Sequence, residues 1–265
     1  MIALLQQIPS EAKIRKHLRH ILYGAHLRCP RCGSRSIAVS EDRYRCAPCR
    51  RPFSLLTGTR LEGMKLSLRT WWALLWCWTQ AVPVLQSQKL CLVNEKTVRG
   101  WFREFRLQLP DLQPILQGKV QMDEAYFRSR SLLMAKQMGS RKIVQVLLPK
   151  GSVDKRDAAE FLFQFIQPRS RLQTDGASIY RRIERSWPVT HRTDIHRKFE
   201  FGLTSEIEGL FGNLRTFIRR MYHHSTAEYL PEYVGEFCAR FCHPEIFDSP
   251  LTYLQKTLVP VPSAT

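Results

Sequence analysis

Asp123, Asp175 and the pair Glu206 and Glu208 are the side chains of this 265-residue chain whose types and positions could do chemistry. Asp123 lies inside the strand-like run Val-Gln-Met-Asp-Glu-Ala-Tyr-Phe, where an apolar residue is expected if the run is only core. A charge in such a place needs a partner such as a metal. Glu124 follows it, and strand alternation sends Glu124 to the opposite face. Asp175 closes the short run Leu-Gln-Thr-Asp-Gly, where it reads equally well as a turn residue. Glu206 and Glu208 open the helix-like stretch Ser-Glu-Ile-Glu-Gly-Leu-Phe-Gly-Asn-Leu-Arg. Carboxylates delivered by three separate elements can converge on a pair of divalent metal ions. Such a pair activates a nucleophile on one side of a reacting centre and steadies the leaving oxygen on the other.

A second constellation is made of thiols. Cys29-Pro-Arg-Cys32 and Cys46-Ala-Pro-Cys49 are two CxxC knuckles with 13 residues between them. This is the spacing of a zinc ribbon, in which four thiolates close a tetrahedral structural site with no open position. Ser36–Val39 and Arg43–Arg45 read as the hairpin between the knuckles. Cys77 and Cys91 read as apolar core residues. Cys238 and Cys242, four apart on a helix, are not expected to form a second metal site. Eight cysteines in a chain read as cytoplasmic speak for metal before disulfides.

The elements that must position these groups follow from periodicity. Ser10 can cap a helix to about Gly24, with Ile14, Leu18, Ile21 and Leu22 on one face and Lys13, Arg15, Lys16 and Arg19 around it. Ser67 can cap a helix that stops before Pro83. Val84 to Val93, Asn94, and Glu95 to Leu109 then have the rhythm of a helix-turn-helix. Its second helix divides into an apolar face (Val98, Trp101, Phe102, Phe105) and a basic one (Lys96, Arg99, Arg103, Arg106). The apolar face docks the helix, and the basic face either lies along a DNA groove or is simply solvated. Pro110 and Pro114 mark a linker.

Beyond it, strands are expected at 120–127, 132–136, 142–148, 171–174 and 189–195. Helices are expected at 154–166, 178–184, 206–221 and 227–241. That order fits an α/β class, an RNase H-like domain with a mixed sheet flanked by helices. The domains read as an N-terminal helix (1–25), zinc ribbon (26–60), helix-turn-helix region (61–112), catalytic domain (118–248) and a Pro-containing tail (249–265), poorly ordered at its end. At about 100° per residue, Glu208 falls on one flank of the buried stripe with Arg215 and Arg219, and Glu206 falls on the other. The pattern alone does not choose between them. His223 and His224, beyond the helix, could cap it or contact DNA.

The net charge of +18 points to a polyanionic partner. Residues 1–118 hold 19 Lys+Arg against 7 Asp+Glu, a net of +12, while 119–265 hold 22 against 16, a net of +6. The first part is therefore the better DNA-gripping surface. No secretory signal is visible, and the apolar stretch Trp71–Trp78 is too short to span a bilayer. A cytoplasmic protein with no membrane partner is expected, nucleoid-associated when bound to DNA.

Several of these segments together resemble the bacterial insertion-sequence transposases of the zinc-ribbon, ISXO-like group. The resemblance rests on Cys-Pro-Arg-Cys-Gly with Tyr-Arg-Cys-Ala-Pro-Cys, on Met-Asp-Glu-Ala-Tyr-Phe, on Gln-Thr-Asp-Gly-Ala-Ser-Ile-Tyr, and on Ile-Glu-Gly-Leu-Phe-Gly-Asn-Leu-Arg followed by Tyr-His-His. It covers about residues 10–245. It implies an RNase H-like domain with an Asp-Asp-Glu/Asn site, carried here onto Asp123, Asp175 and Glu208, with Arg215 as the basic residue seven positions on. Ser205 stands where the family commonly has Asn, which favours Glu208 as the third ligand. The Gly/Lys-rich insertion usual after the first Asp is absent.

What the resemblance implies is DNA transposition. One structural Zn²⁺ would sit on Cys29, Cys32, Cys46 and Cys49, and two Mg²⁺ or Mn²⁺ on Asp123, Asp175 and Glu208. Double-stranded DNA, as terminal inverted repeats and as target, would be the partner, with a homo-oligomer pairing two ends. Two other readings use the same residues: a transposase-derived DNA-binding regulator that no longer cuts, and a stand-alone nuclease of the same fold that hydrolyses without joining.

Overall fold

Three serine and asparagine caps set the frame of the first half of the chain. A computed structural model describes residues 8–40, 43–111, 113–127, 129–193, 204–223 and 226–258. Ser10 accepts from the Lys13 backbone N–H at 3.3 Å and starts α1 (Glu11–Tyr23), which Gly24 ends at φ 61°. The positive φ suits a residue without Cβ. Ser67 accepts from Thr70 at 3.1 Å and starts α2 (Leu68–Thr79). After Pro83 come α3 (Val84–Cys91), a turn through Leu92 at φ 52°, and α4 (Glu95–Leu107), whose cap Asn94 accepts from Thr97 at 2.7 Å. These side chains satisfy donors that a helix start leaves open.

Between α1 and α2 lies a three-stranded antiparallel sheet, β1 (Ile37–Ser40), β2 (Arg43–Cys46) and β3 (Pro52–Ser54). The hairpin is where the knuckle spacing put it. β3 was not expected, because three residues are too few to show alternation. Buried Phe53 packs against Tyr44 with the rings tilted and their centroids 5.3 Å apart.

The described residues up to Gln108 form one unit together with those from Glu245 onward. The stretch read as a tail in fact supplies α8 (Pro250–Thr257), capped by Ser249. Pro250 begins this helix, since proline lacks only an N–H that the first turn would leave unbonded. Tyr253 and Leu254 are buried, and the Tyr253 hydroxyl donates to the Phe105 carbonyl at 2.9 Å. Trp71, Trp78, Phe105, Phe247 and Tyr253 interlock as the aromatic centre of this unit. The end of the tail, 259–265, lies outside the described residues.

The second unit runs from Leu109 to Pro244. Its five-stranded sheet comprises β4 (Lys119–Phe127), β5 (Arg130–Gln137), β6 (Ile143–Leu148), β7 (Arg171–Thr174) and β8 (Thr190–Thr193). The spatial order is β6-β5-β4-β7-β8. The first three strands are antiparallel neighbours, and β7 and β8 run parallel to β4. The crossover from β6 to β7 contains α5 (Lys155–Phe165), begun by a capping box between Asp154 and Asp157. This is the strand order of an RNase H-like sheet.

On one face Val120, Met122, Leu133, Ala135 and Val144 pack with Ala158, Phe161 and Leu162 of α5. Tyr180 and Ile183 fill the same core from two 3-10 turns, Ser178–Tyr180 and Ile183–Arg185, where one short helix was expected. Arg182, at φ 63°, breaks the helical path between them. Against β4 and β5 lies α6 (Ser205–Tyr222), burying Ile207, Leu210, Phe211, Leu214 and Ile218. Next to it is α7 (Leu230–Cys242). Tyr222 stacks on Tyr233 at 4.2 Å and donates to buried Glu236 at 2.5 Å. Among the described residues no helix is long and apolar enough to cross a membrane.

Candidate active site

The site is set by an inequality of strand lengths. β4 has nine residues and β7 only four. β7 pairs with Lys119, Val120 and Gln121 of β4 and ends at Thr174. The chain then turns at Asp175, whose Oδ1 accepts from the Ala177 N–H at 3.0 Å. Asp175 thereby comes beside the part of β4 that β7 no longer covers, where Asp123 and Glu124 lie.

Asp123, Glu124 and Asp175 each offer a carboxylate oxygen within 4.8 Å of the others. This corrects the expectation that alternation removes Glu124 from the site. Asp123 and Glu124 do leave the strand on opposite faces, but Asp175 reaches the open strand edge between them. Two phenols hold Glu124: the Tyr180 hydroxyl donates to Oε2 at 2.5 Å, and the Tyr126 hydroxyl to Oε1 at 3.5 Å. No residue pattern announced Tyr180. Its signal was the end of the Asp-Gly-Ala-Ser-Ile-Tyr segment itself.

Among the described residues none of the three carboxylates forms an ion pair. Burial raises the Asp123 carboxyl to about 7. The Glu124 backbone N–H, donating to it at 2.8 Å, opposes the rise, while the charges of Glu124, Asp175 and Glu208 add to it. Burial also raises Glu124, against the Tyr180 hydrogen bond and with the charge of Asp175. Half-buried oxygens that repel one another form a donor set suited to a hard divalent cation.

α6 is pinned to the sheet by two side chains that face each other across β4 and β5, Gln121 and Lys136. The Gln121 carbonyl oxygen accepts from the Ile207 N–H at 3.0 Å, and Lys136 pairs with Glu206. Gln121 is therefore the side-chain acceptor for the start of this helix, a role usually held by its own cap residue. Thr204, at the cap position, instead donates to Glu208 Oε1 at 2.9 Å. The two glutamates are thus separated. Glu206 is engaged by Lys136, and Glu208 is an exposed side chain whose charge is felt at Asp123 but which lies outside the three-carboxylate group.

Arg215 lies over the Phe127 ring, 5.6 Å from its centroid, and makes no ion pair with Glu208. His223 ends α6 at φ 60°, its N–H bonded to the Arg219 carbonyl at 3.1 Å. His224 lies outside the described residues.

In the first unit Cys29, Cys32, Cys46 and Cys49 bring their sulfurs within 4.8 Å of one another, with 3.7 Å between Cys29 and Cys49 and 3.4 Å between Cys32 and Cys46. Four sulfurs about 2.3 Å from a central zinc would be spaced by about 3.8 Å. Burial pushes the Cys29 thiol up, but the backbone N–H groups of Cys32 and Arg31 and the neighbouring thiols outweigh it and bring it down to about 7. The cluster fits a structural zinc.

Residues 115–241 match the model of the ISXO2-like transposase domain, and residues 9–52 that of a transposase zinc-ribbon domain. The chain belongs to the ISXO2-like transposases. A relative from Halobacterium salinarum, the uncharacterized protein in transposable element ISH50, is 28% identical over 126 residues, 45% of this chain and 43% of the relative. The match thus spans less than half the length of that curated relative.

Two solved structures are also similar. One is a chain of the simian T-cell lymphotropic virus intasome in complex with PP2A regulatory subunit B56 gamma, at 13% identity and TM-score 0.37, over 73% of this chain and 78% of that one. The other is the catalytic core domain of BIV integrase, at 14% identity and TM-score 0.32, over 47% of this chain and 81% of that one.

In this transposase the basic face of α4 is smaller than its spacing suggested. Lys96 and Arg103 are exposed, and Arg99 pairs with Glu95 at 2.7 Å. Arg106 is a correction, because it is only 7% exposed. It stands eight residues from Val98, about 80° around the helix, at the border of the buried stripe rather than opposite it.

The carboxylate cluster carries a prediction for stability. Folded Asp123 holds its proton up to about 7, against an ordinary 3.8. The folded state therefore binds more protons than the unfolded one between those values, and metal-free stability falls as pH rises through that window. Asp123→Asn removes the effect. In metal-depleted buffer without chelator, which leaves zinc in place, its melting temperature should exceed the parent's by a margin growing from pH 4 to pH 8. Added Mn²⁺ should then raise the parent more than the variant. Equal melting curves at every pH would contradict the reading.

Proposed function

We propose that this transposase binds the terminal inverted repeats of its element and catalyses metal-dependent DNA cleavage and strand transfer. The observation that carries the reading is the group of half-buried carboxylates, without an ion-pair partner among the described residues, beside the open edge of β4. Asp123 and Asp175 would hold two divalent ions, Mg²⁺ or Mn²⁺, with Glu208 contributed from α6. Bound there, such ions supply activation of water, and later of a DNA 3′-hydroxyl, together with stabilisation of the leaving oxygen.

The protein's part is positional. β4 and the end of β7 fix the two aspartates. Gln121 and Lys136 hold the first turn of α6, and so set where Glu208 can reach. Arg215, now over Phe127, would neutralise a phosphate at the mouth of the site. The ribbon and the α3–α4 pair would engage the repeats. Lys96, Arg99 and Arg103 would contact phosphates, and those contacts supply most of the affinity. An oligomer would pair two ends, in the cytoplasm and on the nucleoid.

The deciding assay uses end-labelled duplexes carrying the element's termini, a target plasmid and Mg²⁺ or Mn²⁺. Cleavage followed by joined product is expected. Cleavage without joining would make the protein a nuclease. Binding without cleavage would make it a regulator. For the binding half, Arg103→Ala should weaken binding to every sequence alike and reduce the slope of log affinity against log salt by about 1. A change confined to one base position would mean that Arg103 reads sequence instead.

A further inference from the structure

We propose that Glu124 is a further metal-holding carboxylate of the catalytic centre, and that Tyr180 is the residue that positions it. The inference rests on the metal-dependent reading above and adds to it. The three-carboxylate group contains Glu124 and omits Glu208. Among the described residues, then, the acid grouped with the two aspartates comes from the same strand as Asp123, not from α6.

What distinguishes Glu124 from an incidental neighbour is how it is held. Tyr180 is fully buried, its ring packed in the core with Ile183 and the apolar residues of α5. Its rotamer is therefore set by packing. Its hydroxyl, at the edge of an otherwise apolar core, donates to Glu124 Oε2. A carboxylate accepts through two oxygens with about four lone-pair sites in all. One hydrogen bond from Tyr180 and a long one from Tyr126 leave capacity directed at Asp123 and Asp175. Divalent cations bound by hard oxygen ligands need six or more of them, so a third fixed carboxylate is chemically useful in a two-ion site. Groups that orient a ligand in this way typically contribute 10- to 100-fold to metal affinity.

The competing role is purely structural, with Glu124 serving only as the acceptor that satisfies a buried phenol. A glutamine would serve that role nearly as well, and metal affinity would not notice. The test is therefore a Mn²⁺ titration of the full-length, zinc-loaded protein, in which free Mn²⁺ is followed by electron paramagnetic resonance. Glu124→Gln should weaken Mn²⁺ binding by about tenfold or more. Tyr180→Phe should weaken it by a smaller factor, with strand transfer recovered at raised Mn²⁺. If Glu124→Gln and Tyr180→Phe bind like the parent while Asp123→Asn and Asp175→Asn lose binding, this inference fails and the catalytic reading stands. If the parent binds no Mn²⁺ with or without DNA, the catalytic reading itself fails. Should Glu124→Gln not fold, Tyr180→Phe alone decides, because it leaves all carboxylates in place.

Discussion

Replacing Asp175 by alanine should lower strand transfer by at least about 10³-fold while leaving zinc content and DNA binding unchanged. The loss corresponds to about 4 kcal/mol of transition-state stabilisation at about 1.36 kcal/mol per tenfold. It is large because Asp175 is the carboxylate that the end of β7 delivers beside the uncovered part of β4. Without it, Asp123 and Glu124 lose the carboxylate that joins them from a second strand. Asp175→Asn keeps the acceptor for the Ala177 N–H and so preserves the turn, yet should be nearly as inactive. That comparison separates chemistry from local folding. The glutamates of α6 offer a second contrast. Glu208→Gln should fall with the aspartates. Glu206→Gln should chiefly loosen the helix, because its partner is Lys136, whose side chain is only 9% exposed. Retention of strand transfer within about tenfold in Asp175→Ala would sink the catalytic assignment. Equal losses in the two glutamate variants would sink the choice between them.

Stripping the zinc should unfold the ribbon and abolish DNA binding. The buried core around the thiols consists of Leu27, Cys29, Cys46 and Phe53, so half of it is metal ligand. Tyr23, Ile37, Tyr44 and Cys49 only pack partly against it. So few apolar side chains cannot offset the conformational entropy of ordering the ribbon, and metal binding must supply the difference. Cys46→Ser removes the most enclosed thiol and should act like a chelator. Elemental analysis should give one zinc per parent chain and none in the variant. Hydrogen exchange should then show the amides of Cys29, Cys46 and Ala47 losing protection while those of β4 and β5 keep theirs. A variant that holds no zinc but keeps these amides protected and still binds DNA would refute the argument.

The parts of this molecule that the sequence made legible are those in which local chemistry decides. Ser10 and Ser67 cap helices because their side chains reach donors three residues away. The paired CxxC knuckles bring sulfurs together through short turns and a hairpin. β4, β5 and β6 are adjacent in both chain and sheet, so their apolar runs sufficed. What escaped reading depends on where another element ends. Glu124 joins the aspartates only because β7 stops after four residues, a fact that no property of β4 contains. Gln121 carried no signal of its own, and its role follows only from the first turn of α6 lying over it. Arg106 kept the spacing of its basic neighbours, but near the end of α4 that spacing leads to a buried position beside Phe105 in the helix. Angular reading placed Glu206 and Glu208 on opposite flanks of α6. Their separation came from Lys136, a residue 70 positions away from Glu206 in the chain.

The hairpin between β5 and β6 gives a practical handle. The Met138 N–H bonds to the Lys119 carbonyl, so this turn lies level with the start of β4, about 13 Å along the strand from Asp123. Gly139 and Arg141 are exposed there, and Gly139, at φ 69°, has open space around it. An epitope tag spliced in at this turn would sit at the end of β4 remote from the carboxylate group. The protein could then be pulled down without disturbing Asp123, Glu124 or Asp175.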